Sequence, residues 1–262
     1  EAAVQRCSRI ALARGLATVS GGQVEEAPYD RSGEATQTFD LDQSVDAVRV
    51  LADADNVTDR DVSFKIGIKG PGDGRNATPE WFDLDREQGT VEASAGKVTV
   101  KYEDPTSRTV RFAMDRPDGD ADSWSGQWSV VFKADSSLGR DASPAHAVLK
   151  IYGDTKPQLI DPPTDGVVAG EEASLKVGFV KDDGSDSETP SGGTFSVVYN
   201  PARGNPVPVK ENVPVGQAGQ PITWTPTEEQ LGSGNLRAVL NAQIRQTKLV
   251  PTSSGTPVEV KP

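Results

Sequence analysis

An alternation of apolar and polar residues, with a period of two, runs through most of this 262-residue chain. In "VSFKIGIK" the apolar positions are Val62, Phe64, Ile66 and Ile68, with serine, lysine and glycine between them. The same alternation returns in "KVTVKYE", "TVRFAMD", "QWSVVFK" and "HAVLKIY". Successive side chains of a β-strand point to opposite faces, so each segment predicts an antiparallel strand with one face on a core. Because no helical pattern separates these segments, the sequence predicts an all-β fold of packed sheets.

A proline-rich break divides the alternating segments into two sets. Residues 153–166, "GDTKPQLIDPPTDG", contain three prolines, which remove backbone donors from a strand ladder. We therefore predict two tandem antiparallel β-sandwiches joined by a linker over 153–166. The first spans residues 33–152 as a jelly-roll-like sandwich. The second spans residues 167–262 and has six or seven strands in about 100 residues, the size of an immunoglobulin-like sandwich.

The start of the chain follows a different pattern. Val4, Cys7 and Ile10 recur at helical spacing within residues 1–20, and a glycine pair follows. The sequence therefore predicts a short helix and a lead-in segment over residues 1–32. Two interpretations stay open: the helix docks on the sandwich that follows, or it is the last helix of an upstream domain.

The stretch "TPTEEQLGSGNLRAVLNA" combines a threonine-rich strand end, acidic residues, a Leu-Gly pair and an alternating strand. It resembles the turn and penultimate strand of bacterial cell-surface immunoglobulin-like modules. Leu236 stands near the position of the tyrosine that this corner usually carries. The resemblance implies an immunoglobulin-like sandwich over residues 167–262. Without a cysteine pair, its core rests on packing alone.

Two stretches of the first half, "DVSFKIGIKGPGDG" and "GQWSVVF", carry a second resemblance. They are similar to strands of proprotein-convertase P-like sandwiches and of the sandwiches that flank von Willebrand factor A domains. The shared features are an aspartate before an alternating strand, a turn rich in proline and glycine, and a Gly-x-Trp strand. The resemblance covers residues 33–152 and implies that residues 1–30 are the tail of such an A domain.

Several kinds of chemistry are disfavoured by residue counts alone. The chain has one histidine, His146, and one cysteine, Cys7, so it has neither a His/Cys zinc cluster nor an internal disulfide. No Gly-x-Ser-x-Gly nucleophile elbow occurs. We therefore expect no catalytic site and no required cofactor.

The net charge of −12 bears on the partners of the chain. Such a surface repels phosphate backbones and anionic lipid, and no stretch approaches the roughly 20 apolar residues of a membrane helix. We expect a protein partner or adjacent domains of the same polypeptide, with no nucleic acid and no membrane insertion. The oligomeric state stays open.

Alternating aspartates in "RPDGDADSWSGQWSVVF" raise the question of a metal site. Asp118, Asp120 and Asp122 offer carboxylate oxygens of the kind that Ca²⁺ prefers, and "KDDGSDSE" at residues 181–188 is a second acidic loop. Neither matches the EF-hand pattern. The sequence favours plain solvated acidic loops, with Ca²⁺ binding at the three aspartates as the alternative.

The tryptophans of the first half divide into buried and exposed candidates. Trp128 shares its phase with Val130 and Phe132, so it is predicted to be buried. Trp124 lies beyond Gly126, where the strand pattern stops, and is predicted to cap the sandwich end or to face solvent. Trp81 and Trp124 are therefore the candidate ligand-binding residues.

Two classes of function remain after these exclusions. The first is a non-catalytic structural or adhesive module of a larger secreted or cell-surface bacterial protein. The alternative is a carbohydrate- or protein-ligand-binding accessory module of a secreted enzyme. A ligand-binding module predicts coplanar exposed aromatic residues on one face, whereas a structural module predicts that its aromatic residues are mostly buried.

Overall fold

The computed structural model describes residues 23–27, 34–53, 64–71, 79–83, 89–93, 98–104, 109–116, 124–134 and 145–262. Within these ranges it contains nineteen β-strands and two short 3-10 turns, which confirms the all-β prediction. The same ranges hold no helix that is both long and apolar enough to cross a membrane. The chain divides into two compact units, residues 1–152 and 153–262. The helix predicted within residues 1–20 lies outside the described residues.

Ten strands form the two sheets of the first unit. They are β1 (Gln23–Ala27), β2 (Glu34–Leu41), β3 (Val45–Asp53), β4 (Phe64–Lys69), β5 (Glu80–Asp83), β6 (Gly89–Ala93), β7 (Val98–Asp104), β8 (Thr109–Asp115), β9 (Gly126–Ala134) and β10 (Ala145–Gly153). One sheet has the order β1-β10-β3-β8-β7-β6 and the other β2-β9-β4-β5. Strand β1 lies inside the segment 1–32 that the sequence assigned to a helix and lead-in, and it pairs with β10. The first sandwich therefore begins before residue 33.

The core of the first unit draws on both sheets because each strand turns alternate residues inward. Its fully buried side chains include Phe39, Val48, Ile66, Ile68, Met114, Val130 and Phe132. Trp128 is 2% exposed, so the prediction that it is buried in phase with its strand neighbours is confirmed.

Nine strands and both 3-10 turns form the second unit. The strands are β11 (Thr155–Ile160), β12 (Val167–Val168), β13 (Ala173–Lys181), β14 (Gly193–Pro201), β15 (Val207–Pro214), β16 (Ile222–Trp224), β17 (Gly232–Ile244), β18 (Thr247–Lys248) and β19 (Thr252–Lys261). The turns span Val215–Gln217 and Glu228–Gln230. One sheet has the order β11-β13-β16 and the other β12-β19-β17-β14-β15, with β18 beside β17. This arrangement is an immunoglobulin-like sandwich.

Three long strands supply most of the core of the second unit. Alternate residues of β13, β14 and β17 are buried, as their sequence pattern predicts. These residues are Leu175, Val177 and Phe179, then Phe195, Val197 and Tyr199, and finally Leu236, Ala238 and Leu240. Tyr199 donates a hydrogen bond from its hydroxyl to the carbonyl oxygen of Gln230, 3.1 Å away, next to the start of β17. The tyrosine that makes this hydrogen bond is therefore on β14, whereas the resemblance places the usual tyrosine near Leu236 of β17.

The linker predicted over residues 153–166 is wrong for its first half. Residues 155–160 form β11, which pairs along its whole length with β13. Pro157 lies opposite Phe179 and is itself buried. The physical reason is that β11 is a border strand, where a proline can lack a backbone donor without disrupting a ladder on both sides.

This correction predicts the outcome of limited proteolysis with thermolysin, which cleaves before large apolar residues. We expect the bonds before Leu159 and Ile160 to survive under native conditions, because a protease must first pull β11 out of its ladder. Both bonds should be cut once urea has unfolded the second unit. Early native fragments that end at residue 158 or 159, identified by mass spectrometry, would show instead that the segment is a flexible linker.

Candidate ligand-binding site

Of the two acidic loops, only the one at residues 181–188 belongs to the part of the chain that is described. Asp118, Asp120 and Asp122 lie outside the described residues, so Ca²⁺ binding there stays a prediction. In the second acidic loop, Asp182 pairs with Lys156 at 2.7 Å. Within the described ranges, no three His, Cys, Asp or Glu side chains are grouped closely enough to hold a metal ion.

Asp183 of the same loop is held by hydrogen bonds within its own turn. Its carboxylate accepts hydrogen bonds from the hydroxyl of Ser185 at 2.6 Å and from the backbone N–H of Ser185 at 2.9 Å. These two bonds, the hydroxyl bond first, lower the pKa of Asp183 below its usual value. Since both donors belong to the turn itself, the loop is an ordinary Asp-stabilised turn.

Trp124 is buried, so the alternative in which it faces solvent is wrong. Only 1% of its surface is exposed, and its indole N–H donates a hydrogen bond to the carbonyl oxygen of Val45 at 3.0 Å. Its ring meets that of Trp128 edge to face, with 5.8 Å between centroids. Gly126, at a φ of +135°, sets a backbone turn that lets Trp124 fold back beside Trp128. Trp124 is therefore part of the core and offers no surface to a ligand.

Trp81 differs from the other tryptophans because it is half-buried and faces away from the core. It lies on β5 next to Phe82, which is buried on the opposite side of the strand. Gly67 of β4 lies directly opposite Trp81 in the ladder. A Cβ atom at Gly67 would stand 2.9 Å from Cε3 of Trp81, so the indole lies against bare backbone. The glycine thus leaves room for the indole against the backbone of the four-stranded sheet.

The strand register places polar groups around Trp81. One row across the four strands runs from Trp81 through Gly67 and Val131 to Thr36. The adjacent row comprises Asp83, Lys65, Lys133 and Glu34. We call the positions of these two rows the Trp81 face; Val131, near its centre, is buried.

Lys133 connects the two rows of the Trp81 face. Its ammonium nitrogen lies 5.6 Å from the centroid of the Trp81 ring, within the range of a cation–π contact. The same nitrogen lies 3.1 Å from a carboxylate oxygen of Glu34. The Trp81 face therefore combines an aromatic ring with positive, negative and hydroxyl groups.

Sequence reasoning identified Trp81 but missed Gly67, Lys65 and Lys133. Each of these three residues has an ordinary place in an alternating strand, and their importance arises from pairing between strands that are distant in sequence. His146, the one possible histidine base, lies on β10 opposite Glu26 of β1 in the ladder.

No family model and no curated protein matches this chain. Among solved structures, a glycosyl hydrolase family 2 member from Bacteroides cellulosilyticus DSM 14838 is 10% identical with a TM-score of 0.24, over 86% of this chain and 28% of that one. A beta-glycosidase from Bacteroides vulgatus is 11% identical with a TM-score of 0.23, over 89% of this chain and again 28% of that one. TM-scores this low do not establish a shared fold or function, and the chain spans little more than a quarter of either structure.

Proposed function

We propose that this chain is a non-catalytic structural module of a larger secreted or cell-surface bacterial protein, with the adjacent domains of that protein as its partners. The observation that supports this role is the burial of aromatic side chains in two sandwich cores. Buried aromatic residues include Phe39, Phe82, Trp124, Trp128 and Phe132 in the first unit and Phe179, Phe195, Tyr199 and Trp224 in the second. The single histidine and single cysteine of the sequence agree with a role without catalysis.

The border strands of the second unit also suit a module that stays separate from its neighbours. Strand β11 contains Pro157, β15 contains Pro208 and ends at Pro214, and the three-residue β16 is flanked by Pro221 and Pro226. A proline has no N–H to offer an incoming strand, and a very short border strand offers few pairing groups. Both features disfavour edge-to-edge association.

The remaining border of the second unit is protected in the same way. Strand β12 pairs with only Val260 and Lys261 of β19, so the earlier part of β19 extends beyond it. Pro257 lies in that earlier part. Pro257 therefore lies in the part of β19 that does not pair with β12. A proline is expected there if it prevents another strand from pairing with this edge.

Replacing the edge prolines tests this structural role. We expect the triple variant Pro157→Val, Pro208→Thr and Pro257→Thr to form dimers and larger species at concentrations where the unchanged chain does not, because each border regains a backbone donor. Sedimentation velocity over a range of concentrations measures this, and Pro190→Thr, in the loop between β13 and β14, is the control. A triple variant that sediments like the unchanged chain would remove the support that the edges give to this proposal.

Ligand binding by an accessory module is the second candidate function. The observation that favours it is the partly exposed indole of Trp81, which lies against the backbone at Gly67 with Lys133 beside its ring. The other three tryptophans of the chain are at most 5% exposed, so Trp81 is the one available to a ligand.

A further inference from the structure

We propose that the peptide bond between Asp161 and Pro162 is a self-cleavage site, at which the chain cuts itself once in mildly acidic solution. The proposal goes beyond the structural role of the module, because it gives the chain a point of separation between residues 1–161 and 162–262. It depends on the backbone conformation of Asp161, on the hydrogen-bonded segments at either side of the bond, and on the chemistry of an Asp-Pro pair.

Asp161 has a backbone conformation that is disfavoured before a proline. Its φ is +49°, in the left-handed region. The ring of a following proline pushes the preceding residue towards an extended backbone, with φ near about −120°. An aspartate tolerates the left-handed region better than most residues do, but the clash with the proline ring adds to the cost. Residues held in such rare conformations store strain and cluster at functional sites, so we look for a role of this strain.

Hydrogen bonds on both sides hold Asp161 in this conformation. On one side, Ile160 ends strand β11, which is paired with β13 up to that residue. On the other side, the backbone N–H of Thr164 donates a hydrogen bond to the carbonyl oxygen of Pro162 at 2.8 Å, and Val167 begins the pairing of β12 with β19. Because both flanks are held, breaking the bond after Asp161 releases strain that the folded chain otherwise retains.

The chemistry of the cut uses only the Asp161 side chain, a proton and a water molecule. A carboxylate oxygen of Asp161 attacks the backbone carbonyl carbon of the same residue, and the bond from this carbon to the nitrogen of Pro162 breaks. The bonding electrons stay on the nitrogen, which takes up a proton, and Asp161 is left as a five-membered cyclic anhydride that water opens to two carboxyl groups. A proline nitrogen leaves more readily than other amide nitrogens because its two alkyl substituents make it more basic. Asp161 is exposed, so water reaches it.

Pairing within the second unit holds the two pieces together after the cut. Strand β11 stays with residues 1–161, and all six of its residues pair with β13. Leu159 of this strand is buried in the core of the second unit, and the hydroxyl of Thr252 donates a hydrogen bond to the carbonyl oxygen of Thr155 at 2.7 Å. The cut therefore replaces a covalent link by the noncovalent attachment of a strand, which denaturant or a pulling force can undo.

The chain contains an internal control for the test, the second Asp-Pro pair formed by Asp104 and Pro105. Asp104 is the last residue of β7 and pairs with Thr109 of β8, so its backbone is extended, as a following proline favours. The two pairs offer the same chemistry in two backbone conformations. A difference between their rates of cleavage in the folded chain therefore measures the effect of the conformation at Asp161.

The full chain is incubated at the lowest pH at which circular dichroism shows the fold to be intact, and mass spectrometry follows the fragments that end at residues 161 and 104. We expect the cut after Asp161 to be at least about tenfold faster than the cut after Asp104, since strain of the usual size is worth this factor when the reaction releases it. In urea at the same pH, the two rates should agree within about threefold because neither conformation is held.

Substitution of Asp161 separates the chemistry from the conformation. Asparagine tolerates the left-handed region as aspartate does but has no carboxylate, so Asp161→Asn should keep the urea midpoint of the unchanged chain and show no cut after residue 161. Asp104→Asn is the matched control and should be cut after Asp161 at the unchanged rate. A cut after residue 161 that persists in Asp161→Asn would show that a protease, and not the side chain, makes it.

Size-exclusion chromatography of the cut sample tests the attachment through β11. The fragments should elute together at the position of the uncut chain and separate only when urea is added. Separation in native buffer would refute the attachment. Equal rates after Asp161 and Asp104 in the folded chain, or a rate after Asp161 that is no faster in the folded chain than in urea, would refute the self-cleavage site itself.

Discussion

Trp128→Ala is expected to destabilise the first unit by about 3–5 kcal/mol, the range for removing a large aromatic side chain from a core. The ring is 2% exposed and packs edge to face against Trp124. Its far edge lies over Gly70, where a Cβ atom would stand 3.3 Å away. Its indole N–H also donates a hydrogen bond to the carbonyl oxygen of Trp124 at 2.9 Å. The substitution therefore creates a cavity and leaves a buried acceptor without its donor.

Two further variants divide this effect into its parts. Trp128→Phe retains most of the buried area but loses the N–H donor, so we expect a loss of about 1–3 kcal/mol. Gln127→Ala, on the exposed side of the same strand, should stay within about 0.5 kcal/mol of the unchanged chain. Urea unfolding followed by circular dichroism measures all three. A loss below about 1 kcal/mol for Trp128→Ala would show that the packing around this ring is not tight.

The contrast between Trp128 and Trp124 shows how far the period-two pattern extends. Trp128 was predictable because it lies inside β9, where parity alone decides which face a side chain takes. Trp124 lies two residues before Gly126, whose positive φ breaks that parity. The pattern has no information about such a turn, so it left solvent exposure open for a side chain that is buried.

The linker and the Trp81 face were missed for another reason, which is long-range pairing. A proline in "TKPQLI" is compatible with either a connector or a border strand, and only the pairing of β11 with β13 decides between them. Similarly, the sequence does not reveal that Trp81 faces Gly67 or that Lys65 faces Lys133. Register is fixed by the burial of whole strands against a core, and a single sequence shows each strand without its neighbour.

Gly234→Ala is expected to destabilise the second unit by about 3 kcal/mol or more, through overpacking of the core. A Cβ atom at Gly234 would clash with both Cε2 and the hydroxyl oxygen of Tyr199. Tyr199 has no room to move: it is fully buried, its ring centroid is 5.1 Å from that of Trp224, and its hydroxyl is bound to the carbonyl of Gln230. The same burial raises the pKa of the Tyr199 hydroxyl above its usual value, so this hydroxyl stays protonated, and able to donate, to a higher pH than that of an exposed tyrosine.

A double-mutant cycle provides the decisive measurement for this contact. Tyr199→Ala alone should destabilise the second unit by about 3–5 kcal/mol, because it removes a buried aromatic ring and its hydrogen bond. In that background, the new methyl group of Gly234→Ala enters the space left by the ring, so its penalty should fall below about 1 kcal/mol. The two losses are therefore expected to be non-additive by about 2 kcal/mol or more, as for residues in direct contact. Simple additivity of the two unfolding free energies would show that the penalty at Gly234 arises from the backbone of β17 and not from Tyr199.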